Sequence, residues 1–436
     1  MTWDQLSINQ PHLSYMILGG FTSLFMLCSS FFKDQLYTNE ATLGTLCGIA
    51  FGPHGANVIN PMSWGNIEQL TLELSRVVLV LQCFNVGVEL PSRYVEKHWK
   101  GLLFLLIPVM SFGWLATGLI IWWMLPSLSW LDSLCISACV TATDPVLASS
   151  LVGKGKFSGK IPKRLRDLLS AESGANDGLA FPFIYLAIFL IDYRSNTGKA
   201  VLDWFLLIVM YECVFGCIYG FTIGYIARQG IKLADKHNLI DKESFLVFYF
   251  VLALFCAGSA STIGTDELLV GFSAGIGFSN DGWIRQETEE SHVSDVMDLL
   301  INLIYFFYFG TIIPWESFNN SAYGITTWRL VVIALFVLLF RRIPVLLIIK
   351  PLVPDIETWP EAFFVGHFGP IGVGAIFIAS MAKDELDPLG PHHDLFWLIW
   401  PVTIFLVITS ILVHGSSVAV FHLVNRMNKL VPKMNN

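Results

Sequence analysis

The chain has 436 residues, 54% hydrophobic and only 14% charged, with a formal net charge of −8. A soluble domain carries about 25% charged residues, so the composition excludes a soluble globular protein and fits a polytopic membrane protein. The net charge itself decides little, because the position of each charge matters more than the sum.

The first ten residues hold Asp4 and no base, so no cleavable signal peptide is expected. A helix that crosses a bilayer needs about 20 apolar residues. Thirteen segments qualify: 12–32, 40–60, 70–91, 101–125, 131–152, 165–191, 200–228, 243–262, 264–280, 294–313, 327–349, 360–382 and 393–424. The second is rich in glycine and interrupted at Gly52-Pro53-His54-Gly55, and the last is long enough to continue past the membrane as an amphipathic end. The eight cysteines lie mainly in apolar segments without CxxC spacing. Cys135/Cys139 and Cys213/Cys217 are i, i+4 pairs with no histidine nearby, so packing is their expected role.

Alternating the loops across the membrane places nineteen of the 26 Lys and Arg residues on one side, six of them in the loop 153–166. The positive-inside rule makes that side cytoplasmic, with the C-terminus inside and the N-terminus outside. The sequon Asn319-Asn320-Ser321 then falls in an outside loop.

The two halves share a coarse symmetry. The fifth segment carries Thr141-Ala142-Thr143-Asp144-Pro145, and the twelfth carries Gly366-His367-Phe368-Gly369-Pro370-Ile371-Gly372. Polar, interrupted segments at matching places in two halves point to a transporter's midplane site, and the seventh segment is left over as a linker. Proline has no N–H, so Pro145 frees the carbonyl of Thr141 and Pro370 that of Gly366. In lipid a freed carbonyl must be satisfied or line a cavity. With Thr143 and Asp144 alongside, the fifth segment offers the oxygen ligands that hard cations require.

The sixth segment supplies the most unusual stretch, Ala171-Glu172-Ser173-Gly174-Ala175-Asn176-Asp177-Gly178, with two acids in apolar surroundings. Charges in such a place are costly and usually functional. Ser173 and Asp177 stand at i and i+4 on one helix face, with Glu172 and Asn176 paired the same way one position round. A buried carboxyl loses ionisation and a bound cation restores it. Asp177 is therefore the expected site at which a proton and a cation compete. Glu172 needs a buried partner, and the eleventh segment offers Arg341 and Arg342, which point about 100° apart on a helix, so one of them is expected to take the role. Glu89 at the end of the third segment, Asp266 and Glu267 at the start of the ninth, and His367 are candidates for access or pH-related roles. Helix capping is the simpler role for Asp266 and Glu267, and a hydrogen bond orienting the broken helix the simpler one for His367. Glu212 is isolated in the seventh segment.

At these residues the chain resembles the fungal plasma-membrane sodium/proton antiporters of the monovalent cation/proton antiporter family. The likeness rests on Thr143-Asp144-Pro145, Leu169-Ser170-Ala171-Glu172-Ser173, Asn176-Asp177-Gly178, Tyr308-Phe309-Gly310-Thr311-Ile312-Ile313-Pro314-Trp315, Arg341-Arg342-Ile343-Pro344, Lys350-Pro351-Leu352-Val353-Pro354-Asp355 and Gly366-His367-Phe368-Gly369-Pro370-Ile371-Gly372. It implies an all-α membrane fold of about thirteen transmembrane helices, with inverted six-helix repeats and two crossing broken helices at Pro145 and Pro370. It further implies one transmembrane unit over 1–436. Within it are a dimerisation scaffold (about 12–91 and 243–313), a linker helix (200–228) and a core transport part (about 101–191 and 327–424). Asp177, Asp144, Asn176, Ser173, Thr143 and Thr141 become the ion-binding set, with Na⁺ or Li⁺ at Asp177, Ser173 and Thr143. Glu172 with Arg341 or Arg342 becomes the core salt bridge.

The resulting expectation is electroneutral export of cytosolic Na⁺ or Li⁺ against external H⁺ by an elevator-like movement, serving salt tolerance and pH homeostasis. Asn176 before Asp177, where electrogenic relatives have a second Asp, resembles the one-for-one branch. No cofactor, no enzyme activity and no nucleic-acid partner is expected; the partners are the lipid bilayer and a second copy in a homodimer. Relatives often carry a long hydrophilic tail, and this chain ends soon after its last span, so tail-binding regulators are not inferable. A K⁺(Na⁺)/H⁺ antiporter of broad selectivity is the alternative. An intramembrane aspartyl protease using Asp144 and Asp177 would require Tyr-Asp and Gly-x-Gly-Asp contexts, which neither residue has. A cation channel is set apart from these by throughput and by the lack of pH-coupled countertransport.

Overall fold

A computed structural model describes residues 9–34, 39–145, 147, 161–193, 196–283, 293–386 and 392–434. Among these residues the secondary structure is helical and holds no β-strand. Six helical stretches are long and apolar enough to cross a membrane: Ile67–Glu89, Tyr94–Met124, Lys163–Asp192, Thr197–Lys236, Thr327–Leu352 and His393–Ser417. Shorter apolar helices at Glu40–Phe51, Trp130–Cys139, Val247–Ile263, Glu267–Ser279 and Val296–Thr311 lie between them. Each of the thirteen predicted segments contains one of these stretches, or else Gln10–Leu27 or the pair Trp359–His367 and Val373–Glu385. Most of the basic loop 153–166, including Lys154, Lys156 and Lys160, lies outside the described residues.

We label the helices that position the site α1 (Ile67–Glu89), α2 (Trp130–Cys139), α3 (Lys163–Asn176), α4 (Ala180–Asp192), α5 (Glu267–Ser279), α6 (Val293–Thr311), α7 (Thr327–Phe340), α8 (Ile343–Ile349), α9 (Trp359–His367), α10 (Val373–Glu385) and α11 (His393–Met434). Local chemistry sets where several begin. Ser129 and Asp132 form a capping box at α2, Thr358 and Glu361 another at α9, and Asp266 caps α5 through the amides of Leu268 and Leu269 at 2.9 and 3.0 Å. These side chains satisfy amides that the first helical turn leaves open.

Polar side chains set the pairing of α1 with α6. Thr71 meets Tyr308 and Ser75 meets Tyr305, each at 2.7 Å, and Gln82 donates to Asn302 at 2.8 Å and Asn85 to Asp298 at 2.6 Å. Apolar surface gives helices little mutual preference inside a bilayer, so such bonds act as the register. The stretch Thr197–Lys236, expected as a linker, turns an apolar face outward with Leu206, Leu207, Phe215, Ile218 and Ile226 exposed, which suits contact with lipid tails.

The fifth, sixth, eleventh and twelfth predicted helices are interrupted where the sequence pointed to a continuous helix or to a different break. The eleventh breaks at Arg341-Arg342. The fifth segment ends as α2 at Cys139, runs non-helically through residues 140–144, and is helical again at Pro145. Pro145 therefore opens the second half-helix, where a missing N–H costs nothing, instead of kinking a continuous one. Pro370 likewise lies inside the extended stretch 368–372 between α9 and α10. The sixth segment breaks at residues 177–179. Pro182 cannot donate to the carbonyl of Gly178, which the Phe181 amide takes instead at 3.0 Å.

Candidate functional site

The two unwound stretches meet. The Asp144 amide donates to the Pro370 carbonyl at 2.9 Å, so residues 140–144 and 368–372 touch backbone to backbone in the interior. Four helix ends converge there: two C-termini, from α2 and α9, and two N-termini, at Pro145 and at Val373. Helix N-termini carry partial positive charge and C-termini partial negative charge. Each pair has a matching side chain.

Asp144, 1% exposed, serves the positive ends. Its Oδ1 accepts from the Leu147 amide at 2.8 Å and its Oδ2 from the Val373 amide at 2.7 Å, so one carboxylate caps both half-helices. A Cβ at Gly372 would collide with this carboxylate, which is why the position needs glycine. Arg341, 4% exposed, serves the negative ends. It donates to the carbonyls of Val140 and Gly369, and to that of Ala142 at 3.2 Å. The carbonyls that the breaks leave open are thus met by an arginine from the eleventh segment. Its neighbour Arg342 takes Glu172 in a two-pronged pair, Nη1 to Oε1 at 2.6 Å and Nη2 to Oε2 at 2.9 Å, with the side chains 5% and 0% exposed. Both arginines sit in a break between α7 and α8, not on a continuous helix, so the 100° rule does not describe them.

The sixth segment completes the site. Asn176 holds Thr143 twice: its Oδ1 accepts from the Thr143 amide at 3.1 Å and its Nδ2 donates to Thr143 Oγ1 at 2.8 Å. Thr143 Oγ1 also meets Ser173 Oγ at 3.0 Å. Ser173, Asn176 and Thr143 therefore form one buried cluster, whereas the i, i+4 spacing had grouped Ser173 with Asp177 and Asn176 with Glu172. Asp177 is 1% exposed, and neither of its carboxylate oxygens has a hydrogen-bond partner among the described residues. It lies against α10 at Gly374, where an added Cβ would meet its Oδ1. A carboxylate with two open oxygens, fully buried, is a costly arrangement without a ligand.

Of the remaining predicted residues, Asp266 lies against Gly178, beside Asp177, and the others lie apart from this cluster or face backbone. The Thr141 hydroxyl donates to the Ser137 carbonyl at 2.9 Å. Asp266 caps α5, while its Oδ2 is buried and without a partner. Glu267 takes Arg76 Nε at 2.7 Å. Glu89 ends α1 in an exposed position. His367 Nε2 meets Ser417 Oγ at 2.9 Å. Sequence reasoning missed the part played by Arg341 and a group on α11, Ser410 and His414, which contacts the second unwound stretch. Their signal was present as polar residues buried at 0% and 3% within an apolar helix.

The family description "Sodium/hydrogen exchanger, transmembrane" matches residues 21–423. The chain belongs to that family. A protein of Schizosaccharomyces pombe named Na(+)/H(+) antiporter is 41% identical over 99% of this chain and 94% of its own length. A probable Na(+)/H(+) antiporter of the same yeast is 51% identical over 99% of this chain and 58% of its own length. The Na(+)/H(+) antiporter of Saccharomyces cerevisiae is 50% identical over 98% of this chain and 45% of its own length. The chain thus spans about half the length of the latter two relatives. In fold it resembles the sodium proton antiporter of Methanocaldococcus jannaschii, with a TM-score of 0.67 at 15% identity over 93% of this chain and 98% of that one. The membrane-spanning, all-helical antiporter fold expected from the sequence is therefore the fold found.

Proposed function

We propose that the chain exchanges Na⁺ or Li⁺ for H⁺ across a fungal plasma membrane, one for one, with Asp177 as the group both ions occupy in turn. The observation that carries this reading is the pair of unpartnered oxygens on buried Asp177. Charge bookkeeping around the crossing supports it. Glu172 and Arg342 neutralise each other, Asp144 faces two helix N-termini, and Arg341 faces the carbonyls at the two C-terminal ends. Among the described residues, Asp177 alone of these three carboxylates has neither an arginine nor an amide on its oxygens. Proton release leaves one negative charge, which one monovalent cation cancels. A neutral site results in either loaded state, so the core moves with no net charge.

The Thr143 and Ser173 hydroxyls, assigned with Asp177 to one ion site from the sequence, offer further oxygens suited to a hard cation shedding its water. Alternating access follows the division drawn from the sequence. The part holding the crossing (101–191 and 327–424) moves against a scaffold (12–91 and 243–313) that pairs with a second copy. With the outside acidic, a proton displaces the cation outward; facing the cytoplasm, the proton leaves and a cation replaces it. The relatives' names support Na⁺ as substrate.

The test uses proteoliposomes carrying a pH-sensitive dye. Na⁺ or Li⁺ added outside should drive proton movement, and the Asp177→Asn variant should abolish it while remaining folded. Normal transport by that variant would sink the proposal. K⁺ added in parallel separates a narrow from a broad selectivity.

A further inference from the structure

The break in the fifth segment is braced by the span that follows it, through Ser173 and Asn176 of the sixth. The break in the twelfth segment is held by the span that follows it too. From α11, the Ser410 hydroxyl accepts from the Ile371 amide at 2.7 Å, and His414 Nε2 contacts the His367 carbonyl at 2.9 Å. Ser410 Oγ and His414 Nδ1 are 3.1 Å apart, so the two side chains are also joined to each other. His414 Nδ1 also lies 3.0 Å from the Ser410 carbonyl one turn back in its own helix, and one neutral tautomer closes the contacts that reach the unwound stretch. Ile371 N–H donates to Ser410 Oγ, Ser410 O–H donates to His414 Nδ1, and His414 Nε2–H donates to the His367 carbonyl, with the imidazole neutral. The chain of donors therefore runs from Ile371 inside the unwound stretch back to His367 at the end of α9, like a strap across a gap.

This strap bears on the cation site through geometry. Residues 368–372 supply the Pro370 carbonyl that takes the Asp144 amide, and they lead into Val373, whose amide takes Asp144 Oδ2. Next comes Gly374, against which Asp177 is packed. Locally the backbone supplies only the Phe368 amide to the Phe364 carbonyl at 2.8 Å and the Gly369 amide to the His367 carbonyl at 2.9 Å among the described residues, and in a bilayer the remaining polar groups must be met by the rest of the protein. Ser410 and His414 are 0% and 3% exposed, which puts both contacts out of reach of bulk water.

We propose that Ser410 and His414 are positioning residues of the cation site, holding residues 368–372 so that the wall formed by Val373 and Gly374 fits a cation at Asp177. Neither touches the ion. The inference rests on the antiport reading, and it predicts an effect on cation affinity that a general loss of stability would not produce.

The full chain is reconstituted in proteoliposomes, and initial rates are recorded against Na⁺ concentration. Ser410→Ala and His414→Met should each raise the apparent KM for Na⁺ at least about fivefold, with the maximal rate per folded molecule less affected. His414→Gln retains an amide N–H able to reach the His367 carbonyl and should restore most of the affinity. The Ser410→Ala/His414→Met double variant should be little worse than the poorer single one, since the two act in series. An unchanged KM in both single variants overturns the proposal, as does a His414→Gln variant as impaired as His414→Met. Hydrogen exchange at residues 368–373 provides a reading independent of transport, with Ser410→Ala expected to exchange faster at the Ile371 amide and unchanged exchange counting against the strap. A wild-type chain inactive with Na⁺, Li⁺ and K⁺ would instead contradict the antiport reading, leaving the exchange result to decide this one.

Discussion

The two adjacent arginines make opposite predictions in one double-mutant cycle. Glu172 and Arg342 are 0% and 5% exposed and share bonds of 2.6 and 2.9 Å. Removing one partner of such a pair costs about 3–5 kcal/mol, because the other charge stays buried alone, whereas replacing both with neutral groups is often close to neutral. Arg342→Met and Glu172→Gln should therefore each destabilise the protein by about 3–5 kcal/mol. Combined, they should cost no more than either single change, a coupling of at least about 3 kcal/mol. Arg341 behaves differently. It serves the carbonyls of Val140, Ala142 and Gly369, each of which costs about 1–3 kcal/mol when left unpaired in the interior. Glu172→Gln should not relieve Arg341→Met. The assay is reversible unfolding in mixed micelles, followed by tryptophan fluorescence. Rescue of Arg341→Met by Glu172→Gln, or a cost below about 1 kcal/mol for Arg342→Met, would refute the assignment of the two arginines.

Two further outcomes follow from the same geometry. Gly374→Ala places a methyl group against the Asp177 carboxylate; overpacking of about 1–3 kcal/mol corresponds to a cation affinity lowered about 5- to 150-fold, measured as the apparent KM for Na⁺, and an unchanged KM would mean the wall is not part of the site. Glu68 at the start of α1 pairs with Lys383 near the end of α10, joining the proposed scaffold to the proposed core. A Glu68→Cys/Lys383→Cys variant bridged by a cleavable bifunctional thiol reagent should stop transport and regain it on cleavage; full transport while bridged would argue against relative movement of the two parts.

Much of the fold was legible because the bilayer forces a simple code of apolar length and flanking charge. Each of the thirteen hydrophobic segments overlaps a helix or a pair of half-helices among the described residues. That Ser173, Asn176 and Thr143 belong to one polar site was expected, but spacing within the sixth segment grouped Ser173 with Asp177 and Asn176 with Glu172, whereas the structure joins Ser173 and Asn176 through Thr143 of another segment. Direction was lost wherever the helix stopped. Arg341 and Arg342 differ in role because the chain bends at their position, and no residue type announces that bend ahead of Pro344. Pro145 and Pro370 were correctly tied to the breaks, but the breaks precede or surround them, because proline is better tolerated opening a helix than interrupting one. Asp144 was read as a cation ligand, while the structure gives its two oxygens to the amides of Leu147 and Val373. The second amide comes from 229 residues away in sequence, a contact that spacing within a segment cannot reveal.

The central claim is that one carboxylate alternates between a proton and a cation, and proton release on cation binding measures this without transport. Na⁺ or Li⁺ is added to the purified chain in weakly buffered detergent solution, near the pH at which half of the sites are protonated. The account predicts release of protons that saturates with cation concentration, stays below one per chain at any pH, and vanishes in Asp177→Asn. Equal release from Asp177→Asn, or cation binding by the wild type with no proton released across the pH range, would contradict it.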